Sequence, residues 1–313
     1  KSTGEPLHNA IVWQDTRTQE ICDELKQIKE LKDEFSKTGL PIATYFSLSK
    51  ILWLLRNVNE VQNAKSDNDL CFGTIDSWIL YKLTGKHVTD VTNASRTLMM
   101  DLKNLNWNDK ILDTLGIPKD CMPEIKPSMC NFGTNEVILK NIPIAAVLGD
   151  QQASLFGQNC LTSGDVKNTY GTGCFALINT GTEIVHSKNG LLSTVAFQKE
   201  GNEPQYALEG SVSIAGAAVQ WLRDNLNIIN DSSEVEKLAM SVKDNGDIYF
   251  VPAFSGLFSP HWDESARGVL VGLTRFSNKS HIARAVLESV CLLYTSDAAD
   301  EGLGVDLGGR RII

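Results

Sequence analysis

The chain has 313 residues, 42% hydrophobic and 21% charged, and carries a formal net charge of -9. That length suggests two domains rather than one core, and the acidic balance excludes a basic stripe for duplex DNA or an acidic membrane surface. No apolar run reaches the roughly 18–20 residues that span a bilayer, and the seven cysteines form neither a CxxC pair nor a Cys/His cluster.

In chain order, Gln19 to Lys37 reads as a helix, with Ile21, Leu25, Ile28 and Leu31 spaced by three or four residues. Lys50 to Val61 repeats that signal through Ile51, Leu54, Leu55 and Val58, and Thr74 to Leu83 makes a third helix ending at Thr84-Gly85. Residues 101–140 read as loop-rich, with Pro118, Pro123 and Pro127. Ile142 to Leu148 reads as a buried strand, followed by Gly149-Asp150-Gln151-Gln152 and an apolar helix through Phe156. After Gly164 the texture turns β-like. Asn168 to Asn179 reads as a hairpin turning at Gly171-Thr172-Gly173, and Leu191–Phe197, Gln205–Glu209 and Ile248–Pro252 as strands. Val219–Leu226, Ser232–Val242 and His281–Val290 read as helices. Strands mixed with helices throughout imply an α/β fold with a boundary near residues 158–164.

Both ends look unlike natural termini. The first residue is Lys, and residues 291–313 resemble the translation of a sequencing adapter. The expected division is therefore 1–160, 161–290 and a non-native tail, 291–313. The scattered cysteines read as reduced thiols, which implies a cytoplasmic protein.

Three places could carry chemistry. Asp150, on a turn from strand to helix, is either a helix N-cap or a carboxylate that takes a proton from a substrate hydroxyl. The Gly171-Thr172-Gly173 stretch is either a plain hairpin turn or a loop whose amides approach phosphate. Trp13-Gln14-Asp15 with Arg17, and Tyr45-Phe46, are either core aromatics or the apolar faces and donors that suit a small polyol. The histidines are dispersed and read as solvated or structural.

The run from Tyr45 to Asn57 resembles the first signature of the FGGY carbohydrate kinase family, and Gly268 to Glu288 resembles the second. Thr92-Asn-Ala-Ser-Arg-Thr97, Lys167-Asn-Thr-Tyr-Gly-Thr-Gly-Cys-Phe175 and Ala207-Leu-Glu-Gly210 are similar to the members that phosphorylate glycerol. The resemblance implies a two-domain, actin-like, ribonuclease-H-like fold, incomplete at both ends. It implies ATP and Mg²⁺ as cofactors, glycerol as acceptor, and a homo-oligomer with neither nucleic-acid partner nor integral membrane segment. Asp150 would be the general base. Trp13, Tyr45, Gln151 and Phe175 would line the glycerol pocket, and Gly171, Thr172, Gly216 and Gln220 the nucleotide side, with phosphates meeting the helix N-terminus at Gly216. The same resemblance places a phosphate-holding strand and an Arg-Glu pair ahead of Lys1, and an adenine-binding segment beyond Val290. This chain alone is therefore expected to lack kinase activity. Alternatives are a pentulose or gluconate kinase of the same family, or a non-catalytic paralogue that binds a polyol or a partner.

Overall fold

The computed structural model describes residues 1–135, 137 and 140–299, with side chains through Cys291. Residues 300–313 of the expected tail lie outside the described residues. The chain divides into two compact units. The first takes Lys1–Thr169, Ala176–His186 and Leu192–Glu209; the second takes Tyr170–Phe175, Ser187–Leu191 and the chain from Gly210 on.

The first unit opens with α1 (Gln19–Gln27) and α2 (Lys32–Ser36), then α3 (Ser47–Asn57), α4 (Asn59–Ser66) and α5 (Ile75–Thr84). The helix expected over Gln19–Lys37 is thus broken, at Ile28 with ψ of 88° and a 3₁₀ turn over Lys29–Leu31. The break lets Leu31 and Phe35 reach the core beside Ile21 and Leu25, all four being buried. Likewise Lys50–Val61 is two helices, because Val58 is extended. Helix α5 stops as expected: Gly85 adopts φ of 70° and its N–H donates to the Tyr81 carbonyl at 2.8 Å.

The stretch expected to be loop-rich holds short regular pieces. These are β2 (Met100–Asp101), β3 (Asn106–Trp107), α7 (Asp109–Thr114), β4 (Glu124–Lys126) and β5 (Met129–Asn135), which follow β1 (Val88–Asp90) and α6 (Val91–Ala94). The carboxylate of Asp90 caps α6 by accepting from the Thr92 and Asn93 amides, each at 3.0 Å. Strand β6 (Ile142–Ala146) forms, but it is not buried: only Ile144 within it is half-covered, and Ile142 is 51% exposed. The physical reason is its pairing. Among the described residues β6 bonds β5 alone, so an apolar sequence earns no second neighbour here. Helix α8 (Asp150–Gly157) follows.

Strands β7 (Val166–Tyr170), β8 (Cys174–Gly181), β9 (Leu192–Phe197) and β10 (Gln205–Val212) make one sheet in the order β7-β8-β10-β9. Within the first unit, β9 and β10 run antiparallel with Ala207 opposite Thr194. The Ser95 and Thr194 hydroxyls lie 2.8 Å apart, and Tyr206 donates its hydroxyl to the Leu102 carbonyl at 2.8 Å. These buried bonds fix β9 and β10 against residues 94–102, which brings Arg96 and Glu209 to one place.

The second unit contains α9 (Gly216–Asp224), α10 (Glu234–Met240), β11 (Tyr249–Val251), β12 (Val269–Val271) and α11 (Lys279–Ala299). Its core joins Ile214, Leu222, Ile248, Phe250 and Val286, with Trp221 stacked on Phe250 at 5.5 Å. Gly272 follows β12 at φ of 84°, where a Cβ would stand 1.9 Å from the Asp247 carbonyl oxygen, so only glycine closes this ribbon.

Candidate functional site

Tyr45 lies two residues before α3, next to its N-cap Phe46, and is held by its neighbours' burial. Phe46 is 1% exposed, and the Lys50 ammonium, itself buried, donates to the Thr44 carbonyl. The Tyr45 ring meets Trp13 edge-on at 5.4 Å and Phe46 at 5.1 Å, pairs worth about 0.5–1.5 kcal/mol each. Trp13 sits on the turn closed by the Asp15 amide donating to the Val12 carbonyl at 3.1 Å, and it is 37% exposed. Asp15 and Arg17 are engaged with each other at 2.7 Å, and the Arg17 guanidinium lies 4.8 Å from the Trp53 ring.

Behind Tyr45 lies a charged pair that sequence patterning did not single out. Arg96 donates to Glu209 at 2.9 Å and reaches the Tyr45 hydroxyl at 3.4 Å, its guanidinium 5.5 Å from the Tyr45 ring centre. Glu209 is fully buried, and Arg96 Nη1 and Glu209 Oε2 are buried without a hydrogen-bond partner. Burial pushes the Tyr45 phenol up, so it remains a neutral donor and acceptor.

Asp150 is the first residue of α8, not its cap; Gly149 takes the cap position, so the N-cap alternative does not hold. The Gly149 amide donates to Thr92 Oγ1 at 2.9 Å, and Gln152 Nε2 to Thr194 Oγ1 at 3.2 Å, which seats the start of α8 on α6 and β9. The Asp150 carboxylate is exposed and accepts the Gln151 amide at 2.8 Å, in the first turn of the helix. Its charge acts on both Tyr45 and Lys167. Lys167, on β7, is 4% exposed and donates to Gln151 Oε1 at 2.5 Å and Thr169 Oγ1 at 2.6 Å. Burial holds its ammonium below the ordinary lysine range. Trp13, Tyr45, Asp150 and Gln151 therefore share the first unit with three charged residues, Arg96, Lys167 and Glu209. Their sequence signal is a charge inside an otherwise buried strand or turn, which apolar periodicity does not register.

The nucleotide-side residues belong to the second unit. The turn at Gly171–Gly173 is closed by the Gly171 amide donating to the Gly173 carbonyl at 2.9 Å. Two glycines there are dictated by close backbone approach. A Cβ on Gly173 would stand 2.5 Å from the Val212 carbonyl oxygen, and one on Gly216 would stand 2.6 Å from that of Gly171. Gly216 and Ala217, the first residues of α9, donate to the Gly171 and Thr172 carbonyls at 2.9 and 3.2 Å, and Ala218 donates to Ala215 at 3.0 Å. The glycine turn itself thus occupies the helix N-terminus, and Gly171, Thr172 and Gln220 present the exposed groups around it. Phe175 is half-buried on β8, just after Cys174, whose thiol burial pushes up to about 11.

Among the described residues no group of three His, Cys, Asp or Glu side chains could hold a metal ion, and no helix is long and apolar enough to cross a membrane.

The FGGY family of carbohydrate kinases, N-terminal domain, matches residues 1–157, and its C-terminal domain matches residues 166–296. The C-terminal match extends into the stretch from 291 that resembles adapter translation. A glycerol kinase of Pseudarthrobacter chlorophenolicus is 54% identical over all of this chain, which spans 64% of that relative's length. The structure of Plasmodium falciparum glycerol kinase with ADP superposes with a TM-score of 0.80 at 40% identity, over 95% of this chain and 61% of that one. A ligand-bound xylulose kinase from Lactobacillus acidophilus gives 0.76 at 26% identity, over 94% and 60%. The fold is the two-domain, actin-like one of sugar kinases. With both parts of one family description matching in order along the sequence, the chain belongs to the FGGY family of carbohydrate kinases.

Proposed function

We propose that the complete protein transfers the γ-phosphoryl group of ATP to a terminal hydroxyl of glycerol, giving sn-glycerol 3-phosphate, in the cytoplasm. The observation that carries this reading is Asp150: an exposed carboxylate at the start of α8, aligned by the Gln151 amide and within electrostatic reach of Tyr45. The 54% identity to a named glycerol kinase, against 26% for the xylulose kinase, favours glycerol over a pentulose.

In this reading Asp150 accepts the hydroxyl proton as the oxygen attacks the γ-phosphorus and the bond to the ADP oxygen breaks. Gln151 and Tyr45 orient the hydroxyls, and the Trp13 ring covers the carbon chain. The Gly216 amide is taken up by the Gly171 carbonyl, so the exposed Gly171, Thr172 and Gln220 around the turn would meet the phosphate oxygens. Mg²⁺ normally rides on one or two carboxylates plus nucleotide phosphates. Among the described residues no group of three His, Cys, Asp or Glu side chains could hold the ion alone.

The 313-residue chain is tested by equilibrium dialysis with labelled glycerol, challenged by xylulose and by gluconate. Glycerol retained against both sugars is the expected result. Displacement by xylulose at equal concentration would move the substrate to the pentulose branch, and failure to retain any polyol would reject a polyol site in this chain.

A further inference from the structure

We infer that Lys167 is a positioning residue of the polyol site: its ammonium holds the side-chain oxygen of Gln151 and thereby fixes which end of that amide is offered beside Asp150. The inference rests on the polyol reading of Asp150 and Gln151 given above, and it assigns a role to a residue that touches neither glycerol nor nucleotide in that reading.

Lys167 is buried, yet among the described residues no carboxylate lies in direct ion-pair contact with it. Its donors go to an amide oxygen and a hydroxyl instead, Gln151 Oε1 and Thr169 Oγ1. Such an arrangement is a poor choice for stability alone, because a buried cation is best matched by an anion at contact. It is a good choice for orientation. A carboxamide has an acceptor end and a donor end of nearly equal size, and a neutral neighbour could accommodate either. An ammonium has only donors, so it binds the oxygen and rejects the NH2 end. The Gln151 NH2 group is then turned toward Asp150 Oδ2, 3.4 Å away, while the Gln151 main-chain N–H holds Oδ1 at 2.8 Å. The consequence is a donor and an acceptor side by side at the start of α8. A substrate hydroxyl needs this pair: it gives its proton to the carboxylate and takes a hydrogen bond on its oxygen. If the amide rotated, two acceptors would face the hydroxyl and its lone pairs would meet no donor. Thr169, on the same strand, holds the ammonium from the other side and limits its rotamers.

The test is a double-mutant cycle on the 313-residue chain, with glycerol affinity read by calorimetry for wild type, Lys167→Met, Gln151→Met and the double variant. Each single change is expected to weaken glycerol binding by about ten- to a hundred-fold, the worth of a hydrogen bond to a charged group. The double variant is expected to be no weaker than the weaker single by more than about threefold, since both remove one device. Losses that multiply would overturn the inference, because Lys167 would then act independently of Gln151. A second readout needs neither ligand nor a foldable variant. The Gln151 side-chain NH2 gives a pair of NMR signals, and raising the pH of the wild type until Lys167 loses its proton should shift them along a titration curve that the other side-chain amides do not share. Signals that do not respond to Lys167 titration would overturn the inference too. A wild-type chain that binds no glycerol yet shows the NMR coupling would reject the polyol reading and keep the Lys167–Gln151 device.

Discussion

The two units build their candidate sites from opposite materials. In the first unit the site is made of side chains: Asp150, Gln151 and Tyr45 at the front, with the half-buried Arg96 and the buried Glu209 and Lys167 behind them. In the second it is made of backbone, a glycine turn pressed against the start of α9 with no room for a Cβ on Gly173 or Gly216. The contrast teaches where each region is vulnerable. A charged array fails when one member is neutralised and its partner is left buried; a backbone cradle fails when any side chain is added.

The largest expected effect comes from splitting the buried pair. Arg96→Ala leaves Glu209 fully buried and unpaired, and should cost about 3–5 kcal/mol of stability in urea melts, while Glu209→Gln should cost clearly less. Equal small losses for both would break the contrast at its charged end. Next come Gly173→Ala and Gly216→Ala, where the new methyl meets main-chain oxygen. Each should cost about 1–3 kcal/mol by the same measurement, although alanine would favour the helix at Gly216. A neutral result at Gly216 would mean that the turn and helix can part.

A third prediction concerns pH. The folded value of Lys167 lies below the ordinary 10.5, with burial as the main cause and Glu209, Asp150 and Cys160 as the charges facing it. Between the folded and unfolded values the unfolded chain binds more protons, so this residue makes stability rise with pH in that window. Lys167→Met should flatten that rise relative to wild type in melts taken from neutral pH up to the ordinary lysine value of 10.5. A difference between the two proteins that is constant with pH would contradict it. The smallest effect belongs to Tyr45→Phe, which removes one long hydrogen bond from Arg96 and keeps the ring contacts; about 1 kcal/mol or less is expected in the same melts.

Local signals in the sequence predicted those elements that local chemistry decides. Gly85 stops α5, and Gly171–Gly173 turns between β7 and β8, because backbone geometry at those points depends on a few adjacent residues. Context defeated two expectations. The apolar run at 142–146 reads as buried, yet burial needs neighbours that no strand can supply to itself. The periodic stretch from Gln19 to Lys37 is interrupted at Ile28, since tertiary packing of Leu31 and Phe35 outweighs helix continuity. At the candidate site, Asp150 was singled out from a strand-turn-helix pattern and Gln151 from the resemblance alone. Arg96, Lys167 and Glu209 stood inside the stretches that carried the resemblance, but their partners lie 113 and 16 residues away in sequence, which spacing does not reveal.

The most direct measurement is isotope-edited NMR of carbon-13-labelled glycerol bound to the unlabelled 313-residue chain. A polyol site in the first unit predicts intermolecular cross-peaks from the glycerol protons to the rings of Trp13 and Tyr45, abolished when Asp150 is replaced by Ala. Cross-peaks confined to the aromatic rings near Trp221 or Trp262, or none at a glycerol concentration that saturates binding, would contradict it.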